Sequence, residues 1–136
     1  MIVVLDTNVL ISGILKPYSK AATILRLVTD GNIQLAYDLR LLSEYRDVLN
    51  RPKFDFAKEN VEGFLEQAEE EGLLVSVKPL KFHLPDPDDE PFLEVALSGG
   101  IKAIVTGNKR HFRKKEYEGV KILSPAEFLE AVKEKI

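Results

Sequence analysis

Three carboxylates in this 136-residue chain, Asp6, Glu44 and Asp89, stand where oxygen ligands for a cation would be useful. Asp6 directly follows Ile2–Leu5, an apolar, β-branched run that reads as a strand buried on both faces. A lone Asp after a strand is most simply the cap of the next helix. Its functional weight comes from the company it keeps. Glu44 lies on a helix whose Leu41, Leu42, Tyr45, Val48 and Leu49 share one face. At about 100° per residue it falls beside Val48, at the margin of that buried stripe. Asp89 precedes Phe92, Leu93 and Ala96 by three, four and seven residues, so it opens an apolar stripe rather than a polar face. A carboxylate aimed along a buried face needs a cation, hydrogen bonds or a helix N-terminus to stay ionised. Asp88 and Glu90 suit ordinary first-turn helix charge, and Asp86 is an outer ligand at most.

A neutral oxygen joins them. Asn108 follows the buried run Ala103–Thr106 in Thr106-Gly107-Asn108. If that strand neighbours the first, Asn108 and Asp6 share an edge, and Thr106 offers a hydroxyl to a carboxylate or a water. A simple Gly-Asn turn accounts for the same residues. Three carboxylates converging at one edge repel one another until a cation arrives. A divalent ion resolves the repulsion and leaves positions for water and a phosphate oxygen, which is the chemistry of a phosphodiesterase.

The composition agrees on the metal. The chain has no cysteine, and only His83 and His111 offer imidazole, so a zinc site is disfavoured and Mg2+ or Mn2+ is expected. With 45% hydrophobic and 30% charged residues, the chain can form an ordinary globular core. A net charge of −3 does not advertise nucleic-acid binding, but unligated acidic residues count negatively in that sum. The opening apolar run is too short for a signal peptide, and no stretch is long enough to span a membrane. A cytoplasmic protein is therefore expected.

The elements that must position these groups alternate between strand and helix. Strands are expected at Ile2–Leu5, Ile33–Tyr37, Leu73–Val77, Ala103–Thr106 and Val120–Leu123. Helices are expected at Asn8–Leu15, from Ser19 to Val28, from Asp38 to Leu49, over Lys58–Glu71, and from an Asp88 cap to Ser98. Ser124-Pro125-Ala126-Glu127 is a capping box with Pro at the first helical position, so a C-terminal helix follows. The alternation implies an α/β fold with a mainly parallel sheet covered on both faces, in one domain over residues 1–136. In such sheets ligands gather beyond the carboxyl ends of the strands, near the point where strand order reverses.

Four motifs in order match a known family. Asp6-Thr7-Asn8-Val9 after an apolar strand resembles the opening motif of PIN-domain nucleases. Ser43-Glu44-Tyr45-Arg46-Asp47-Val48-Leu49 with Arg51-Pro52-Lys53-Phe54 is similar to a subgroup regarded as toxin components of toxin–antitoxin systems. Asp86-Pro87-Asp88-Asp89 with Phe92-Leu93-Glu94, and then Val105-Thr106-Gly107-Asn108-Lys109, complete the pattern. The resemblance covers essentially the whole chain. It implies a three-layer α/β/α fold and a Mg2+- or Mn2+-dependent endoribonuclease with Asp6, Glu44 and Asp89 as metal ligands. It also implies a homodimer and a cognate antitoxin. Many relatives carry Asp at the position of Asn108, and that departure bears on a second metal site.

Other readings were weighed on the residues. A haloacid-dehalogenase-type phosphatase needs a second Asp two residues after the first, where this chain has Asn8. A response-regulator receiver needs its acidic residues in a different order. A non-catalytic RNA-binding module on the same fold is the remaining alternative. Lys109, Arg110, His111, Arg113, Lys114 and Lys115 form a basic run beside Asn108. Such a run is either a solvated loop or a hold on the phosphate backbone, and Thr106, Lys109, Arg110 and Arg113 are the substrate-binding candidates. Tyr117 and Phe112 are candidates for stacking on bases, although Phe112 suits the core better. His111 is expected at the surface or on phosphate rather than on a metal.

Overall fold

The computed structural model describes residues 1–133. The strands are β1 (Ile2–Leu5), β2 (Gln34–Tyr37), β3 (Leu73–Leu74), β4 (Ala103–Val105), β5 (Glu116–Tyr117) and β6 (Val120–Leu123). The helices are α1 (Thr7–Leu15), α2 (Lys20–Thr29), α3 (Leu39–Leu49), α4 (Lys58–Glu71), α5 (Glu90–Ser98) and α6 (Pro125–Lys133). The strands form one sheet in the order β3-β2-β1-β4-β6-β5, parallel except for the β5–β6 pair. Helices flank this sheet, which makes the fold α/β with a central, mainly parallel sheet.

The order puts β1 in the middle. The chain moves outward from β1 to β2 and β3, then returns and builds β4 and β6 on the other side. Strand order therefore reverses between β1 and β4, whose register pairs Val4 with Ile104 and Leu5 with Val105. Val3, Val4, Leu5, Ile104 and Val105 are all fully buried, which explains why both strands read as unbroken apolar runs.

Local signals account for most boundaries. The Ser19 hydroxyl accepts the Ala22 N–H at 3.1 Å, and the Asp38 carboxylate accepts the Leu41 N–H at 3.0 Å. The capping box closes in both directions: Ser124 Oγ accepts from the Glu127 N–H at 3.1 Å, and Glu127 Oε1 from the Ser124 N–H at 2.9 Å. Near the close crossing of α1 and α2, a Cβ on Gly13 would fall 2.5 Å from Leu25 Cδ1, so any larger residue there requires the Leu25 side chain to shift.

Two expectations need correction, and one strand, β5, was not expected. The strand expected at Leu73–Val77 is only Leu73–Leu74, an edge with both leucines exposed; beyond it the Val75 N–H still donates to the Tyr37 carbonyl at 2.8 Å. The cap before α5 is not Asp88. A 3-10 turn over Pro87–Asp89 intervenes, Asp86 caps that turn by accepting the Asp88 N–H at 2.9 Å, and α5 starts at Glu90. The hairpin of β5 and β6 had no period-2 apolar signal. It turns through Glu118 at φ 48° and Gly119 at φ 91°, and both central residues of this two-residue turn carry positive φ.

Candidate metal centre at the carboxyl edge

Asp6 leaves β1 at the switch point. Its backbone N–H still donates to the Val105 carbonyl at 2.9 Å, so the sheet itself sets its position. It occupies the cap position of α1 but makes no side-chain cap bond, which removes the simple structural account of this Asp. Its buried carboxylate is held from the neighbouring strand instead. Thr106 Oγ1 donates to Asp6 Oδ2 at 2.8 Å, and Asn8 Nδ2 lies 3.4 Å from the same oxygen. Asn8 in turn accepts the Gly107 N–H at 3.0 Å, which ties the start of α1 to the end of β4.

Asp89 arrives from the other side of the chain reversal. It too stands at a helix cap position without capping, and its residue is only 8% exposed. Its Oδ2 is buried and has no hydrogen-bond partner among the described residues. Such an orphaned oxygen costs stability unless something absent from the protein chain satisfies it. Burial pushes the Asp89 carboxyl up to about 6; the charges of Asp6, Asp86 and Asp88 push the same way, and His111 opposes them.

His111 is the third member. Its Nδ1 lies 3.4 Å from Asp6 Oδ2 and 3.8 Å from Asp89 Oδ1. Each of the three residues offers one ligand atom, and all three atoms lie within 4.8 Å of one another. The expectation of a surface or phosphate-contacting histidine gives way here. The 3-10 turn over Lys109–His111 curls the chain back after β4 and turns the ring inward, half-buried against the carboxylates.

Glu44 lies outside that close group among the described residues. It is half-buried at the margin of α3, as its helical phase implied. The Thr7 hydroxyl donates to Glu44 Oε2, so the residue after Asp6 orients it. Burial raises the Glu44 carboxyl, the Thr7 bond and Arg51 lower it, and the charges of Asp6 and Asp88 raise it further. The fully buried Tyr45 donates its hydroxyl to the Leu5 carbonyl at 2.5 Å, which latches α3 to the end of β1.

The remaining candidates sit further out. Asn108 does not present its amide to Asp6; Oδ1 accepts the Arg110 N–H at 3.1 Å, and Nδ2 lies 3.3 Å from His111 Nε2. Thr106 is the residue that meets Asp6 across the strands. Lys109 Nζ contacts Glu127 Oε1 at 2.8 Å, while Arg110 and Arg113 are exposed. Asp86 is exposed and caps its own turn. Phe112 and Tyr117 are buried, and Tyr117 stacks on Phe82 with centroids 5.8 Å apart, so the core and not a base occupies them. Thr7, Asn8 and Tyr45 are the site residues to which sequence reasoning gave no role at the site. The first two were visible inside the Asp6-Thr7-Asn8 motif.

A family model described as PIN domain matches residues 2–110. The chain belongs to the PIN-domain family. No curated protein and no solved structure matches it. PIN domains are typically metal-dependent nucleases, and the paired carboxylates of Asp6 and Asp89 fit that chemistry. The matched span contains Asp6, Glu44, Asp89 and Asn108, and His111 lies one residue beyond it. The residues present also pass a test of fit for a cation: two buried carboxylates lie together, and one of them has an oxygen with no partner among the described residues. A cavity of about 1140 Å³ lies at the opposite edge. It is lined by Ile2, Leu27, Ile33, Ile101 and Phe128 among others and has no acidic lining residue among the described residues.

Proposed function

We propose that this PIN domain is a Mg2+- or Mn2+-dependent endoribonuclease, the toxin component of a toxin–antitoxin pair. The observation that carries the catalytic part is the buried Asp89 carboxylate, its Oδ2 unpartnered among the described residues, grouped with Asp6 within 4.8 Å at the point where strand order reverses. Asp6 and Asp89 would hold the cation, with Glu44 as a further oxygen ligand at the rim. A divalent ion there supplies Lewis acidity and offsets charge on a phosphodiester during hydrolysis. Thr106 and Asn8 fix the Asp6 carboxylate in one orientation. Thr7 does the same for Glu44. Exposed Arg110 and Arg113 carry positive charge next to the site for a phosphate backbone to meet.

The toxin assignment, a cognate antitoxin and a homodimer rest on the motif resemblance. No helix is long and apolar enough to cross a membrane among the described residues. The test is manganese-dependent cleavage of a panel of single-stranded RNAs. Activity that disappears with chelator and in Asp6→Asn and Asp89→Asn is the expected result. RNA binding without metal and without cleavage would replace the enzyme with a non-catalytic RNA-binding module.

A further inference from the structure

The turn after β4 fixes more than the position of His111. Asn108 Oδ1 accepts the Arg110 backbone N–H at 3.1 Å. A backbone N–H can only donate, so the atom facing it must be the amide oxygen. The amide nitrogen then points the other way, 3.3 Å from His111 Nε2. An amide nitrogen is a donor only, so His111 Nε2 must present its lone pair. The ring proton accordingly sits on Nδ1. That nitrogen faces Asp6 Oδ2 at 3.4 Å and Asp89 Oδ1 at 3.8 Å, both of them acceptors. Every contact around the ring agrees on one tautomer.

A histidine that ligates a cation through Nδ1 needs its lone pair there and its proton on Nε2. In this chain that arrangement would set Nε2–H against the Asn108 amide hydrogens. We infer that Asn108 is a positioning residue that holds His111 as a hydrogen-bond donor to the carboxylate pair and withholds it from a bound cation. The centre then takes its protein ligands from oxygen and favours Mg2+ and Mn2+ over ions that seek nitrogen. This inference rests on the metal-centre reading given above.

Asn108→Asp inverts the polarity with little change of shape. One carboxylate oxygen still accepts the Arg110 N–H, and the other accepts a proton from His111 Nε2. The Nδ1 lone pair is then free for a cation. Added negative charge strengthens every divalent ion alike, so the ratio of Ni2+ to Mn2+ affinity isolates the imidazole, because nickel gains more from nitrogen. Calorimetric titrations of both ions on the wild type, His111→Ala, Asn108→Asp, the double variant and Asp6→Asn make the test. In the wild type the ratio should not move when His111 becomes Ala. In Asn108→Asp it should shift towards nickel by about tenfold, the lower end of outer-ligand effects, and should return in the double variant. Nitrogen-15 NMR of the metal-free wild type should show the proton on Nδ1, a readout that needs no variant to fold. A nickel ratio that collapses in wild-type His111→Ala, one unmoved in Asn108→Asp, or a proton on Nε2 would each overturn the inference alone. Absence of any Asp6-dependent binding of either ion would overturn the metal-centre reading and this inference together.

Discussion

Asp89 carries its charge at a cost that the metal-free protein can report. Its folded carboxyl sits at about 6 against an ordinary 3.8, because burial disfavours the ionised form. Between those values the folded state holds the proton and the unfolded state does not. The Asp89 contribution to stability is therefore fully present below about pH 4 and is lost as pH rises through about 6, with Glu44 adding in the same direction. Melting curves in chelator should fall across that window. Saturating manganese, which binds the ionised form, should flatten or reverse the slope. A metal-free profile that rises from pH 4 to 6 would contradict the burial argument. Asp6 makes a companion prediction. It caps nothing, and an Asn in its place can still accept from Thr106 Oγ1. Asp6→Asn should fold with a metal-free melting temperature equal to or above the wild type, since one like charge beside Asp89 is gone, and should lose the manganese-induced rise. A severe loss of folding would instead make Asp6 a structural residue.

At the scale of elements, the site depends on α3 being docked at the end of β1. The Tyr45 hydroxyl supplies that dock through the Leu5 carbonyl, one residue before Asp6. Tyr45→Phe keeps the ring in the core and removes only the donor. The expected loss is about 1–3 kcal/mol in urea unfolding, the cost of leaving a buried polar group without its partner, and Glu44 should lose its alignment with Thr7. Unchanged stability would show that the contact is incidental. Elements such as this helix were legible in the sequence because their signals are local: Asp38 three residues before Leu41, the apolar stripe, and Pro52 after Asn50. The ends of β1 and β4 were legible for the same reason, and with them Asp6 and Thr106. The inward turn of His111 was not. It depends on Asn108 capping a 3-10 turn and on Lys109 reaching Glu127 at the start of α6, 18 residues on, and no periodicity records either. The β5–β6 hairpin escaped because Glu118 takes a positive φ that its residue type does not favour.

For the whole molecule the question is how a chain of net charge −3 would bring a polyanion to a cluster of carboxylates. The acidic helix α4 and the unligated centre both repel RNA at long range. A bound cation offsets only the second. Under the proposed function the compensating charge must lie beside the centre, and the run after Asn108 is the source we propose. Within that run Lys109 is paired with Glu127, whose carboxyl is held down at about 2 chiefly by that bond, so Lys109 contributes least. Lys114 lies over the Tyr117 ring with its Nζ 5.7 Å from the centroid. Arg110 and Arg113 remain exposed on either side of His111. Replacing both with Ala should weaken RNA binding and reduce the slope of log affinity against log salt by roughly 1.4, the release of two counterions from a single strand. Manganese affinity should change little, because no carboxylate is touched. The measurement is a salt series by fluorescence anisotropy, with a manganese titration on the same protein. An unchanged slope would make the run a solvated loop. The phosphate path would then run past Arg51 at the end of α3, whose charge already lowers the Glu44 carboxyl.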